Sequence, residues 1–170
     1  MDQRIDRLAK LLIHYSLRLK KGQLIKIQGE VVTLPLIKAA FEEAVRIGAY
    51  PYTQINIPEN DEAMLRYGNP GQLAYINPLA KMEVDKIDAL LVIWGSSNTR
   101  YLAGIEPKRQ ALKQKARKPI FNRLFARIGR EEMRWVGTQF PTHADAQEAD
   151  LSLADYEDFV YSAGHIMSAD

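Results

Sequence analysis

A three-layer α/β fold, with a mostly parallel four-stranded sheet and helices on both faces, is what this sequence predicts. Three observations carry that expectation. Ala89 to Trp94 is a continuous apolar run of strand length with no polar alternation, the pattern of a strand buried on both faces in a parallel sheet. In Gln3 to Leu19, by contrast, Ile5, Leu8, Leu12, Tyr15 and Leu19 recur at steps of three and four, the signature of a helix with one core face, stopped near Gly22. Strand-like and helix-like segments then alternate along the chain, punctuated by Gly and Pro.

The remaining elements follow in order. Leu24 to Gln28 reads as a strand ending in Gly29-Glu30. Thr33 can cap the next helix, with Pro35 in its first turn, a core stripe of Leu34, Ile37, Phe41, Ala44 and Val45, and Gly48 as its stop. Tyr52 to Ile57 alternates and ends at Pro58, a strand nearer an edge. Glu59 to Lys86 is a long crossover of short helical pieces broken at Gly68, Pro70-Gly71 and Asn77-Pro78. After the apolar strand, Glu106 to Arg130 is helical, with an interruption expected at Lys118-Pro119 because the residue before proline is pushed away from helix. Met133 to Thr138 is the last strand. Thr142 with Asp145, and Ser152 with Asp155, are spaced as caps for two short helices. Strands are thus expected near 23–29, 51–57, 88–95 and 132–138, in the sheet order 2-1-3-4 of the common doubly wound patterns.

Composition narrows the function classes. A chain of 170 residues makes one domain of ordinary size, which buries on the order of 70% of its unfolded surface without staples; residues 1–164 are assigned to it and 165–170 to a frayed tail. There is no cysteine, so neither a disulfide framework nor a thiolate metal site is available, as suits a reducing, cytoplasmic setting. No stretch approaches the roughly 18 apolar residues of a membrane span. The net charge of +2 conceals ten basic residues between Lys108 and Arg134, and seven acidic ones with no Lys or Arg between Pro141 and Asp170. The basic residues are interleaved with Ala111, Leu112, Ala116, Ile120, Leu124 and Ile128 at helical spacing and lack a stacking series of aromatics. They read as the wet face of an amphipathic helix, and no nucleic-acid partner is expected.

Candidate site residues come from position. Ligands of open parallel sheets gather outside the carboxyl ends of the strands, where Ser96, Ser97, Asn98, Thr99 and Arg100 follow the central strand and Gln139, Thr142 and His143 follow the last. A polar loop capping the next helix is the plainer reading of the first group, and a solvent-facing first-turn residue the plainer reading of His143. Glu30 also ends a strand, with a turn or capping role preferred because no partner lies near it in sequence. His14 falls beside the first helix's core stripe, and His165 sits in the tail. No glycine-rich phosphate loop, nucleophile elbow or His-Glu-x-x-His helix is present, so no residue is assigned as catalytic, cofactor-binding or metal-ligating.

Five phrases add a resemblance: Leu-Lys-Lys-Gly at 19–22, Pro-Leu-Ala-Lys at 78–81, Ala-Arg-Lys-Pro at 116–119, Arg-Trp-Val-Gly-Thr-Gln-Phe-Pro-Thr at 134–142, and Asp-Tyr-Glu-Asp-Phe-Val-Tyr at 155–161. In that order they resemble the amino-terminal part of the thermophilic metallo-aminopeptidases of the aminopeptidase T and aminopeptidase S type. The resemblance runs from residue 2 to about residue 164. It implies an amino-terminal α/β domain followed by a carboxy-terminal catalytic domain, whose Glu, His, Tyr and Asp residues hold two divalent ions such as zinc or cobalt. None of those ligand positions falls in this sequence. The implied function is that of the non-catalytic portion of a peptide-cleaving enzyme, shaping the cleft and joining a homo-oligomer. A free-standing α/β ligand-binding module is the alternative. Self-association is expected through apolar residues around Tyr67, Tyr75 and Ile76 and around Tyr156, Phe159 and Tyr161.

Overall fold

The structure, a computed structural model, describes residues 2–164 and 166; the assignment of His165 and of residues 167–170 to a tail lies outside them. The described residues form two compact units, the first of residues 2–56, 88–99, 134–164 and 166 and the second of residues 57–87 and 100–133. Each has its own core.

The first unit carries the sheet. β1 (Leu24–Glu30), β2 (Tyr50–Asn56), β3 (Ala89–Trp94) and β4 (Arg134–Gln139) are arranged β2-β1-β3-β4 with every pairing parallel, as the sequence predicts. The apolar run makes β3 internal. Ala89, Leu90, Leu91 and Ile93 are buried and Val92 is half-buried, whereas Trp94, read from the run as equally enclosed, is half-exposed because it ends the strand at the sheet's rim. Ile25 and Ile27 of β1 and Leu91 and Ile93 of β3 pack with Leu36, Ile37, Ala40 and Ala44 of α2 (Leu34–Ile47). Burying four such aliphatic strand residues is worth roughly 1.5–3 kcal/mol each.

Two expected core stripes are rotated. The first helix runs regularly only as α1 (Gln3–Lys10) and continues as a π-helix over Leu11–Ser16, where Leu17 N–H donates to Leu12 O at 2.9 Å. The wider turn breaks the step of three and four, so Leu12, Ile13 and Leu17 enter the core while Tyr15 is 72% exposed. In α2 the stripe is Leu36, Ile37, Ala39, Ala40 and Ala44, and Phe41 and Val45 are exposed. Small alanines let the helix lie close to the sheet, and the larger side chains turn outward. Gly48 ends α2 in the left-handed conformation expected of it, with φ 82°. Thr33 does not cap α2 through its side chain. A 3-10 turn over Val31–Thr33 intervenes, and the buried Thr33 hydroxyl donates back to Glu30 O at 2.8 Å.

Two short helices complete this unit, α7 (His143–Glu148) and α8 (Leu153–Ala163), and both predicted caps are present. Asp145 N–H donates to Thr142 Oγ1 and Asp155 N–H to Ser152 Oγ. Tyr161, expected on an association surface, is instead buried in the core beneath the Arg4 guanidinium, 4.6 Å from its ring centre.

The second unit is helical: α3 (Pro58–Tyr67), α4 (Pro70–Ala74), α5 (Pro78–Lys86) and α6 (Pro107–Gly129). Its core is Leu65, Leu73 and Ile105, with Leu102 and Leu112 against it. The expected interruption at Lys118-Pro119 is absent, and α6 passes through Pro119 unbroken. Pro119 is exposed, so the Lys115 carbonyl that loses its donor can turn to water. Arg127 is the buried tie of this unit, donating to Val84 O at 2.7 Å, Ile87 O at 2.8 Å and Glu132 O at 3.1 Å. It satisfies carbonyls at the end of α5 that no further turn of helix would reach.

Candidate functional site

Strand order decides where the first unit can hold a ligand. The chain leaves β1 for β2 on one side and leaves β3 for β4 on the other, so the direction of winding reverses between β1 and β3. A crevice opens at such a switch point, outside the carboxyl ends of the strands. A cleft of about 290 Å³ lies there, lined by Gly29 and Glu30 from β1, Trp94 and Gly95 from β3, and Asn56, Gln139 and Asp145 around them.

Three glycines make its walls possible. A Cβ on Gly29 would lie 2.3 Å from Thr33 Oγ1, and one on Gly95 would lie 2.9 Å from Phe140 O and 3.0 Å from Thr33 Cγ2. The two strand ends can therefore approach the α2 entry only without side chains. On Gly137 of β4 a Cβ would meet Trp94 Cη2 at 2.2 Å, so the indole lies across a bare stretch of β4 and is held as a wall.

Asp145 organises the other side. Its Oδ2 accepts from Thr142 Oγ1 at 2.7 Å, from Gln139 Nε2 at 2.9 Å and from Ser96 N–H at 3.3 Å. One carboxylate therefore joins the loop after β3, the end of β4 and the first turn of α7. Glu30, at the end of β1, has its Oε2 buried.

The residues singled out in the sequence are brought together unevenly. Ser96, Gln139 and Thr142 converge on Asp145, as just described. Asn98 N–H donates to Ser96 Oγ at 3.2 Å, and Thr99 Oγ1 donates to Glu148 Oε1 at 2.8 Å. Ser97 is exposed in the same loop, Arg100 falls in the second unit, and His143 is exposed at the start of α7. His14 stands apart from the cleft, half-exposed, with its Nε2 3.1 Å from Glu43 Oε2. Asn56, Trp94 and Asp145 were not singled out as site residues. Asp145 was read only as a cap; the cue it offered was its position behind a strand end that also carries Gln139.

No three His, Asp or Glu side chains converge as a metal-ligand set among the described residues. Several acidic side chains are paired with arginines: Asp2 and Glu157 with Arg4, Asp85 with Arg123, Glu132 with Arg127 and Arg130. A two-metal hydrolytic site does not fit these donors.

Comparison with known proteins places the chain. A family model described as thermophilic metalloprotease (M29) matches residues 1–170. The chain belongs to the thermophilic metalloprotease (M29) family. That is a family of hydrolases, and membership agrees with the resemblance read from the sequence. No curated protein sequence matches the chain. Among solved structures, this M29 chain is similar to wild-type AmpT from Thermus thermophilus, with a TM-score of 0.79 and 20% identity over 94% of this chain. The likeness at that identity is one of fold. The M29 chain spans 42% of the length of the AmpT chain.

Proposed function

We propose that this chain is the amino-terminal, non-catalytic portion of a two-metal aminopeptidase, an enzyme that removes residues from the amino ends of peptides, and that it contributes cleft shape and subunit association. The observation that carries the reading is a coincidence of extents. The M29 family match takes up residues 1–170, yet the chain spans 42% of AmpT. Two-metal sites need several carboxylate and imidazole ligands with the metals roughly 3.5–4 Å apart, each ligand held by further hydrogen bonds. In this reading those ligands, and the zinc or cobalt they hold, belong to a carboxy-terminal portion. Support for association comes from exposed apolar side chains, Tyr67 at 80%, Tyr75 at 68% and Phe159 at 65%.

A second reading, a free-standing α/β ligand-binding module, is favoured by the cleft at the switch point. Sequencing the reading frame through and past the codon for Asp170 separates the two. A frame that continues into a Glu- and His-bearing portion is expected from the first reading. A stop codon at that point would overturn it in favour of the second.

A further inference from the structure

We propose that the outward face of α6 is a docking surface for an anionic lipid bilayer, with the helix lying in the plane of the headgroups. The inference stands on the second unit alone and goes beyond the aminopeptidase reading without resting on it. Charge is its first support. Between Pro107 and Gly129 there are eight Lys and Arg and no Asp or Glu. Four of the eight serve the unit itself: Arg109 donates to Leu65 O and Gly68 O, Lys113 pairs with Asp61, Arg123 pairs with Asp85, and Arg127 holds the end of α5. The other four, Lys108, Lys115, Arg117 and Lys118, are exposed and form no ion pair among the described residues. Uncompensated positive charge gathered on one helix selects an anionic partner.

Apolar side chains on the same face narrow the class. The inward stripe of α6 is Leu112, Ala116, Ile120, Leu124 and Ile128, all half-buried. Phe121 and Phe125 each follow a member of that stripe by one residue and are therefore turned about 100° away from it. They are 44% and 59% exposed. Lys118, Phe121 and Phe125 fall at steps of three and four, so a cation and two rings share one outward stripe. The Arg117 guanidinium flanks it, 5.5 Å from the Phe121 ring centre.

Shape decides between the anionic partners. Single-stranded nucleic acid is held in a groove whose rings stack successive bases, whereas Phe121 and Phe125 stand one turn apart on the convex side of a rod. A bilayer interface accepts such a ridge. Phenyl rings enter the boundary between headgroups and acyl chains, and the long stems of Lys and Arg reach from beside them to the lipid phosphates. Two rings and four cations suit reversible attachment to the surface.

Co-sedimentation of the unmodified chain with vesicles tests this against a vesicle-free control. The vesicles are phosphatidylcholine alone, or phosphatidylcholine and phosphatidylglycerol in equal parts, at about 0.1 M salt. The chain is expected to bind the mixed vesicles with half-saturation at or below about 1 mM lipid, and to stay in solution with the neutral ones. Lys115→Gln combined with Lys118→Gln is expected to weaken binding about twentyfold, since each cation near an anionic leaflet is worth about fivefold. Phe125→Ser is expected to weaken it about tenfold at unchanged charge, a loss that attraction between charges alone would not show. Far-ultraviolet circular dichroism is expected to be unchanged in both, and should Phe125→Ser not fold, Phe121→Ser takes its place with the same expected loss. No sedimentation with the mixed vesicles, equal binding to the neutral ones, or full affinity in a folded Lys or Phe variant would each overturn the proposal. Saturable binding of a single-stranded oligonucleotide in place of the vesicles would overturn it in favour of a nucleic-acid surface.

Discussion

Gly29 is the position where one atom has the largest expected consequence. Its missing Cβ leaves room for Thr33 Oγ1, Ile37 Cδ1 and Ile93 O, and Thr33, being fully buried and bonded to Glu30 O, has nowhere to retreat. Gly29→Ala is expected to destabilise the first unit by about 2–4 kcal/mol, read by denaturant unfolding followed through circular dichroism. Gly22→Ala is the control for backbone strain without crowding, since its φ is +81° and nothing lies within 4 Å of an added Cβ. Its expected cost is about 1 kcal/mol. Glu43 gives a pH-dependent case. Burial pushes its carboxyl up more than any other single influence, but the hydrogen bonds from His14 and Arg46, with the charges of Arg46 and Lys10, outweigh it and hold the group below its ordinary value of about 4.5. A lowered pKa in the folded state means the unfolded chain binds this proton more readily. The stabilisation is complete above the ordinary value and is lost as pH falls through the folded one. Unfolding free energy is therefore expected to drop, as pH falls below the ordinary value of about 4.5, by more in the unmodified chain than in Glu43→Gln. Parallel pH dependence in the two would show that the pair contributes nothing.

At the scale of elements, α6 offers a clean test. Proline inside a helix removes a hydrogen bond and crowds the preceding turn at a cost of about 3 kcal/mol, and Pro119 is exposed. Pro119→Ala is expected to stabilise the second unit by about 1–3 kcal/mol, seen as a higher thermal midpoint. Arg127→Ala should act in the opposite direction, by about 3 kcal/mol or more, because it leaves the buried carbonyls of Val84 and Ile87 without their donor. The elements also show how far the sequence could be read. All four strands and both short caps were legible because each rests on a local signal: an apolar run, a turn dipeptide, a Ser or Thr three residues before an acid; the strand order matched the common doubly wound pattern, which no single residue encodes. The rotated stripes of α1 and α2 were not. A π-helix over Leu11–Ser16 changes the period in mid-helix, and in α2 the choice of face is made by alanine contacts with the sheet, which hydrophobicity alone ranks below Phe41 and Val45. Pro119 misled for the related reason that its penalty is local while the helix is decided by its whole length. Ser96 and Gln139 in the cleft, and Thr142 behind its Asp145, were within reach of a rule about strand ends. Asn56 and Trp94 were not, since the rim of a switch point is set by which strands become neighbours.

For the whole molecule, two expectations follow from its composition of parts. Exposed Tyr67, Tyr75 and Phe159 should make the chain self-associate, so sedimentation velocity is expected to show the mean mass rising with concentration, and Phe159→Ser to reduce that rise. A single monomeric species at every concentration would remove the association role. No helix of the described residues is long and apolar enough to cross a membrane. Whether this chain is catalytic by itself is open to one assay. Purified chain is incubated with zinc, cobalt or manganese, and hydrolysis of an amino-terminal leucyl reporter is followed. No turnover above the metal-only control is expected. Turnover that survives repurification and disappears with a chelator would contradict it, because the ligands for two metals would then have to lie within these 170 residues.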